Sequence, residues 1–348
     1  MKYSKLLSLA ACVLIFVPLL MAGCSSGGGD NPVNLTQPNT TPATQPPPST
    51  VTAIDFAINQ IETDCSEVGV TKVTVYASVI DQNGDPITEL TNSNFSLFEN
   101  SAPIDSNTVE VNFVDQLQIP VSVALLMDYS TSMLTANAIE KMKDAIIGFV
   151  NQLNPNDRGE VIKFAQLVDK TQAFTDDKTA LINAVNVLPW PQNWFTESAL
   201  YDAMEVAIED AALESNRKAV VVITDGWDNN STIGIDDLID LAKSKNVPLF
   251  IIGFDNPLNK DSDSDELFLD IDSLTRIVEE TGGHFYLTES TDEFYTIYQQ
   301  IADILIFDQY VIKYTSLFHG SVDVTLEIDV EYNGLTDSDS RQFTTCPN

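Results

Sequence analysis

The sequence predicts an α/β fold: a doubly wound, mostly parallel sheet inserted in, or flanked by, a β-sandwich built from the N- and C-terminal segments. Three observations predict it. From Leu117 onward, apolar runs suited to strands covered on both faces alternate with stretches of helical periodicity. On either side of that region, from Val51 to Gln118 and from Gln309 to Thr345, short alternating or β-branched segments are separated by turn residues. The composition is that of a globular chain: of 348 residues, 44% are hydrophobic and 20% charged, enough apolar side chain for a sizeable core.

Taken in order, Val70 to Val79 nearly alternates Val and Ala with Thr and Tyr, a strand pattern. Asp81-Gln82-Asn83-Gly84-Asp85-Pro86 then makes a turn, because Asn-Gly tolerates positive φ. Phe95 to Phe98 and Val109 to Phe113 are further short strands. Ile119 to Met127 is an almost unbroken apolar run, as is Ala219 to Ile223; Val161 to Ala165 and Val247 to Phe254 complete the buried strands. Between them lie helices at Ala136 to Leu153, Ala180 to Leu188, Glu197 to Leu213 and Ile235 to Ser244. Ile271 to Glu280 is a helix stopped by Gly282-Gly283, Phe285 to Leu287 a short strand, and Thr291 to Leu305 the last helix. The tail returns to strands at Tyr310 to Tyr314, Val322 to Val330 and Arg341 to Thr345, with Asn333-Gly334 as a turn. Pairing this tail with the first β segment makes the α/β region an insertion in one sandwich.

The amino terminus reads as an export signal. Lys2 and Lys5 precede an apolar run from Leu6 to Leu20 and then Met21-Ala22-Gly23-Cys24. The alternative is an uncleaved membrane helix, for which the run is short. Small residues before Cys24 resemble the bacterial lipobox, which implies cleavage before Cys24 and lipidation of its thiol. Ser25 to Thr52 is rich in Gly, Ser, Thr, Asn, Gln and Pro and reads as a tether. The expected organisation is residues 1–23 signal peptide, 24–52 tether, 53–117 first part of the sandwich, 118–307 α/β domain and 308–348 second part of the sandwich. Such a chain belongs to a bacterial cell envelope, on the outer membrane if the cell is Gram-negative. Of the four cysteines, Cys12 leaves with the signal and Cys24 takes the lipid, leaving Cys65 and Cys346. In an oxidising compartment an even pair suggests one disulfide; two separate buried thiols are the alternative.

Charge excludes some partners. The chain has 51 acidic and 17 basic residues, and two of the basic ones lie in the signal, so a chain starting at Cys24 carries 51 − 15 = 36 excess acids. It repels phosphate backbones, which excludes nucleic acid, and meets membranes only through its lipid.

Ligands of doubly wound sheets sit beyond the carboxyl ends of the strands. The residues there are Asp128-Tyr129-Ser130-Thr131-Ser132 after the first buried strand and Thr224-Asp225-Gly226-Trp227-Asp228 after a later one. Phe195-Thr196-Glu197-Ser198 leads into the helix between them. Two carboxylates and several hydroxyls are hard oxygen donors that suit Mg²⁺, or Mn²⁺ or Ca²⁺, rather than a thiolate-seeking metal. Each fragment also has a plainer reading, as a helix cap or a turn.

Together the fragments resemble the von Willebrand factor A domain and its metal-ion-dependent adhesion site, over roughly Gln118 to Phe307. The family pattern Asp-x-Ser-x-Ser falls on Asp128, Ser130 and Ser132, its threonine on Thr196 and its second aspartate on Asp225. Phe195 stands where the family more often has Gly or a polar residue, which makes Ser198 the neighbouring alternative to Thr196. The resemblance implies a non-enzymatic binding module whose cation takes one more oxygen, such as a carboxylate from a protein partner. A metal-dependent hydrolase and an envelope scaffold with a purely stabilising metal are the competing readings. No Gly-x-Ser-x-Gly elbow exists, and neither His284 nor His319 stands in a triad context in the sequence. Trp194 and Trp227 suggest an aromatic rim or packing under the loops, and Asp261 to Asp265 a solvated acidic loop.

Overall fold

The computed structural model describes residues 50–188, 197–256 and 269–348. The signal, Cys24, nearly all of the tether, Trp194, Phe195, Thr196 and the acidic run Asp261 to Asp265 lie outside the described residues.

The first β segment gives β1 (Ile54–Asp64), β2 (Lys72–Asp81), β3 (Phe95–Glu99), β4 (Ala102–Pro103) and β5 (Glu110–Phe113), followed by the short helix α1 (Val114–Leu117). The α/β region comprises β6 (Val121–Asp128), α2 (Thr131–Thr135), α3 (Ala138–Gln152), β7 (Arg158–Phe164), β8 (Val168–Thr175), α4 (Lys178–Asn186), α5 (Leu200–Ala211), β9 (Arg217–Thr224), α6 (Ile235–Lys245), β10 (Leu249–Phe254), α7 (Ile271–Thr281), β11 (Phe285–Thr288) and α8 (Phe294–Ala302). A π-helical turn, Asp303–Asp308, leads to β12 (Tyr310–Thr315), β13 (Asp323–Tyr332) and β14 (Leu335–Thr344).

The central sheet has the order β11-β10-β9-β6-β7-β8, parallel except for the β8 edge. Val123, Leu125 and Met127 of β6 face the layer of α3, α4 and α8, whereas Ala124 and Leu126 face α5, α6 and α7. Burial on both faces explains why β6 reads as an apolar run rather than an alternation. The chain leaves β6 towards β7 on one side and returns to β9 on the other, so the strand order reverses between β6 and β9.

Two antiparallel sheets, β1-β2-β12-β5 and β14-β13-β3-β4, form the sandwich. Each sheet takes strands from both ends of the chain, so the α/β region is inserted. Phe56, Val75, Tyr310 and Ile312 of one sheet and Phe95, Leu97, Leu326 and Ile328 of the other share one core. Phe95 and Tyr310 meet edge to face at 5.3 Å. The buried Glu99 carboxylate accepts from Tyr314 Oη, Ser316 Oγ and the Leu317 N–H at 3.0, 3.0 and 2.8 Å, which compensates its desolvation. Asn333 and Gly334, with φ of 52° and 83°, make the two-residue turn between β13 and β14. Cys65 and Cys346 form a disulfide, Cα–Cα 5.3 Å, across 281 residues. The outer edge of β1 is held by side chains of β14: the Phe56 and Ile58 N–H groups donate to Asp337 and Asp339 at 2.7 and 2.8 Å.

Three elements differ from expectation. The sequence does not reveal β8, whose Val-Asp-Lys-Thr-Gln-Ala-Phe-Thr has no clean alternation; it is a half-buried edge strand with register shifts against β7. The helix expected from Glu197 begins at Leu200, because Ala199 holds a non-helical backbone (φ −92°, ψ 58°) and its N–H donates to Ala165 O at 2.8 Å. The expected last helix divides into a 3₁₀ turn, α8 and the π turn. Among the described residues no helix is long and apolar enough to cross a membrane.

A buried polar seam joins the sandwich to the amino ends of the central strands. Arg217 Nη1 donates to Gln309 Oε1 (2.5 Å), Gln309 Nε2 to Asn59 Oδ1 (2.7 Å), and Asn59 Nδ2 to Ser78 Oγ (2.9 Å) and Gly282 O (2.7 Å). Ser78 Oγ lies 2.7 Å from His284 Nε2, and His284 Nδ1 lies 2.8 Å from Asp55 Oδ2. A guanidinium only donates and a carboxylate only accepts, so the two ends impose one direction on every link. Asn59→Leu is expected to cost about 2–3 kcal/mol, because it strands the Gln309 amide and the Gly282 carbonyl. Urea denaturation measures this, and an unchanged midpoint would mean that water replaces the lost partners.

Candidate metal centre

Asp128 is the last residue of β6, and Asp225 directly follows β9. These adjacent strands flank the reversal of strand order, where the loops diverge and leave a crevice. Asp128 Oδ1 accepts from the Ser130 N–H at 2.7 Å, turning the chain into α2. Asp128 Oδ2 accepts from Thr224 Oγ1 at 2.7 Å, which ties the two strand ends together. Ser132 Oγ donates to Asp225 Oδ1 at 2.6 Å, and the Ser130 and Ser132 hydroxyls are 3.1 Å apart. The structure therefore brings Asp128, Ser130, Ser132 and Asp225 into one cluster. Asp128 and Asp225 are almost completely buried. Burial first, and the Asp225 charge second, push the Asp128 carboxyl well above the usual carboxylate range; the Ser130 and Thr224 hydrogen bonds only partly oppose this.

Thr196 lies outside the described residues. Ser198, its neighbouring alternative, is 4% exposed, and among the described residues its Oγ has no hydrogen-bond partner. The Ser198 backbone is fixed to the loop after β9: its N–H donates to Asn229 Oδ1 at 2.7 Å, and its carbonyl accepts from the Asn229 and Asn230 N–H groups at 3.1 Å each. Asp202, in the first turn of α5, accepts from the Thr232 and Ile233 N–H groups at 2.8 and 3.1 Å. Trp227 is half exposed on that loop.

Asn256 is a member of the cluster that the sequence motifs do not single out. It stands two residues past β10, and its Nδ2 donates to Asp225 Oδ2 at 3.2 Å. A signal for it exists: ligand-binding side chains gather just past the carboxyl ends of buried strands, and past β10 the chain reads Asp255-Asn256. His284, outside any triad context in the sequence, lies between Asp55 and Ser78 in the order of one. Ser78 is 1% exposed and its Oγ already accepts from Asn59, so the trio serves the seam.

The donor set fits a hard divalent cation. Two buried carboxylates repel each other at the strand ends, and the buried Ser198 hydroxyl in the adjoining loop has no partner among the described residues. Among the described residues no group of three or more His, Cys, Asp or Glu could hold a metal, so a cation here would have to draw on hydroxyls and water as well.

A sequence profile for the von Willebrand factor type A domain matches residues 122–300. An uncharacterized protein of Borreliella burgdorferi is 27% identical over 143 residues, 39% of this chain; the chain spans 41% of that relative's length. Among solved structures, BatB from Bacteroides thetaiotaomicron aligns with a TM-score of 0.42 at 20% identity, covering 53% of this chain and 98% of its own. A von Willebrand factor type A protein from Catenulispora acidiphila aligns with a TM-score of 0.45 at 10% identity, covering 86% of this chain and 75% of its own. Proximal thread matrix protein 1 from the mussel byssus, with a zinc-occupied metal-ion-dependent adhesion site, has a TM-score of 0.47 at 20% identity, covering 62% and 52%.

Proposed function

Since the chain belongs to the von Willebrand factor type A domain family, we propose that it is a binding protein of the bacterial cell envelope that captures an acidic side chain of a protein partner through a divalent cation. Asp128, Ser130, Ser132 and Asp225 hold the ion, with a hydroxyl from the loop before α5, Thr196 or Ser198. The observation that carries this reading is the meeting of two buried carboxylates, bridged by serine hydroxyls, at the point where the strand order reverses. With only two carboxylates to offset its charge, a bound Mg²⁺ keeps an electrophilic position for a partner's oxygen. The acidic body repels an acidic partner at distance, but salt screens this beyond about 8 Å.

The placement of the chain supports display. β1 crosses the amino ends of the central strands: Gln60 Oε1 accepts from the Lys218 N–H, and the Asn246 amide pairs with Ile61. The metal cluster lies at the opposite, carboxyl end. β1, the first element of the folded unit, therefore lies on the side away from the site. Residues 24–49 would span at most about 90 Å when extended, and lipidation of Cys24 would fix their far end to the membrane.

Calorimetric titration with Mg²⁺ and Mn²⁺ tests the site. The wild type is expected to bind one ion, and Asp225→Ala none. A wild type that takes up neither metal, alone or with millimolar acetate as a carboxylate probe, overturns the reading.

A further inference from the structure

β7 ends in a turn whose three successive carbonyls each accept from a different segment of the candidate metal centre. Phe164 O accepts from the Tyr129 N–H at 2.7 Å, in the Asp128–Ser132 loop. Ala165 O accepts from the Ala199 N–H at 2.8 Å, next to Ser198 and just before α5. Gln166 O accepts from Asn230 Nδ2 at 2.7 Å, in the loop that follows Asp225. The Ala165 N–H donates to Leu167 O at 3.1 Å and closes the turn.

The Ser198 segment and the loop after β9 are laced to each other. The Ser198 N–H donates to Asn229 Oδ1 at 2.7 Å, and the Asn229 and Asn230 N–H groups both donate to Ser198 O at 3.1 Å. Further along, the Tyr201 N–H donates to Asp228 Oδ1 at 3.3 Å and the Asp202 N–H to Ser231 Oγ at 2.9 Å. The two therefore move as one piece. That piece joins the central sheet where β9 ends at Thr224, and again at the end of β7 through Ala199 and Asn230. The Asp128 loop sits on the same end of β7 through Tyr129.

Of the three links to the β7 turn, the one from Asn230 is made by a side chain. Its orientation is fixed chemically, since only the amide nitrogen can donate to a carbonyl. Gln166 is exposed, so water could satisfy its carbonyl as well. A water molecule would leave the loop unattached, whereas the amide of Asn230 holds it.

We propose that Asn230 is a positioning residue of the metal centre, seating the laced Ser198 and Asp225 segments on the strand end that also holds the Asp128 loop. The proposal rests on the metal reading above and gives Asn230 no contact with the ion. Without the amide, the Asp225 side of the site loses one of its two attachments to the sheet, and its distance from the Asp128 side is less well defined.

The test compares Mg²⁺ affinity by calorimetry in the wild type, Asn230→Ala, Asn230→Asp, Asn229→Asp and Asn59→Leu. Asn230→Ala and Asn230→Asp cannot donate to Gln166 O and should bind about threefold to tenfold more weakly, the span of one net hydrogen bond. In Asn230→Asp this loss runs against the added negative charge, which by itself favours a cation. Asn229→Asp adds the same charge one residue away but keeps an oxygen for the Ser198 N–H, so it should bind at least as tightly as wild type. Asn59→Leu, at the other end of the central strands, destabilises the fold without touching either loop and should match wild type. Amide hydrogen exchange in EDTA adds a readout independent of metal: the Ser198 N–H should exchange faster in Asn230→Ala than in wild type. Wild-type affinity in both Asn230 variants overturns the proposal, as do equal losses in Asn229→Asp and Asn230→Asp, or in Asn59→Leu and Asn230→Ala. A wild type that binds no Mg²⁺, alone or with acetate, sinks the metal reading instead. Unchanged exchange at Ser198 in Asn230→Ala would show that Asn230 seats nothing, whichever way the titration falls.

Discussion

Asp128→Asn is expected to make the metal-free protein more stable at pH 7 while abolishing its response to Mg²⁺. The replacement keeps the size and most of the hydrogen bonding of Asp128: its carbonyl oxygen accepts from the Ser130 N–H, and its amide donates to Thr224 Oγ1, which accepts as readily as it donates. What disappears is a buried charge facing Asp225. The gain is about 1–3 kcal/mol, the scale of one relieved buried repulsion, and shifts the melting temperature by a few degrees. The pH dependence gives the sign. Asp128 titrates higher in the folded state than in the unfolded chain, so the folded state holds more protons between the two values. Stability of the metal-free wild type therefore falls as pH rises from about 4 towards that raised value, then levels off. Asp128→Asn lacks this component. With saturating Mg²⁺ the wild type should show the reverse slope over the same range, since the ion requires both carboxylates deprotonated. Melting curves from pH 4 to 8, with and without Mg²⁺, measure all of this. An Mg²⁺-induced shift in Asp128→Asn equal to that of wild type would place the ion elsewhere.

The second large effect is expected from the disulfide. Opening the Cys65–Cys346 bridge, by reduction or by replacing both residues with Ser, releases a loop of 281 residues in the unfolded chain. The chain-entropy relation gives about 5 kcal/mol for such a loop, and native strain only lowers that figure. The C-terminal strand does not depend on the bridge alone. The Cys346 N–H donates to Thr71 Oγ1 at 2.8 Å, and its carbonyl accepts from the Gly320 and Ser321 N–H groups. The folded geometry should thus survive reduction while stability drops by about 2–5 kcal/mol. Urea denaturation with and without dithiothreitol checks this; coincident curves would show that the unfolded chain gains nothing from the bridge.

The parts of this molecule that were legible in the sequence are those where one physical rule acts alone. β6, β9 and β10 are buried on both faces, and a run such as Ala219 to Ile223 reports that directly. The Asn333-Gly334 turn and the Gly282 stop of α7 are fixed by positive φ. Where two demands compete, the pattern blurs. β8 is an edge strand whose pairing with β7 shifts register twice, and each irregularity breaks the period of two, so its alternation is lost. Ala199 is helix-like in composition but is claimed by the Ala165 carbonyl. Asp128, Ser130, Ser132 and Asp225 could be placed because each lies just past a readable strand. Asn256, Thr224 and Asn230 act through partners from other segments, and those pairings exist only once the sheet order is known. The seam is the extreme case: Asp55, Ser78 and His284 are meaningless neighbours until β1, β2 and β11 converge.

The bridge also determines how the molecule behaves under tension. A pull applied at the amino end first meets β1, held to β2 by its strand pairing and to β14 through Asp337 and Asp339. If β1 gives way, its 11 residues peel from β2 and β14 as an already extended segment. The pull then arrives at Cys65 and divides, forward along the backbone towards β2 and across the sulfurs to the far end of β14. Two covalent routes, entering the sandwich from opposite ends of the chain, share the force from that residue on. The Asp128–Asp225 cluster, at the carboxyl ends of the central strands, lies on neither route, so the bridge spreads a pull on the amino end over both halves of the sandwich before it enters the α/β region.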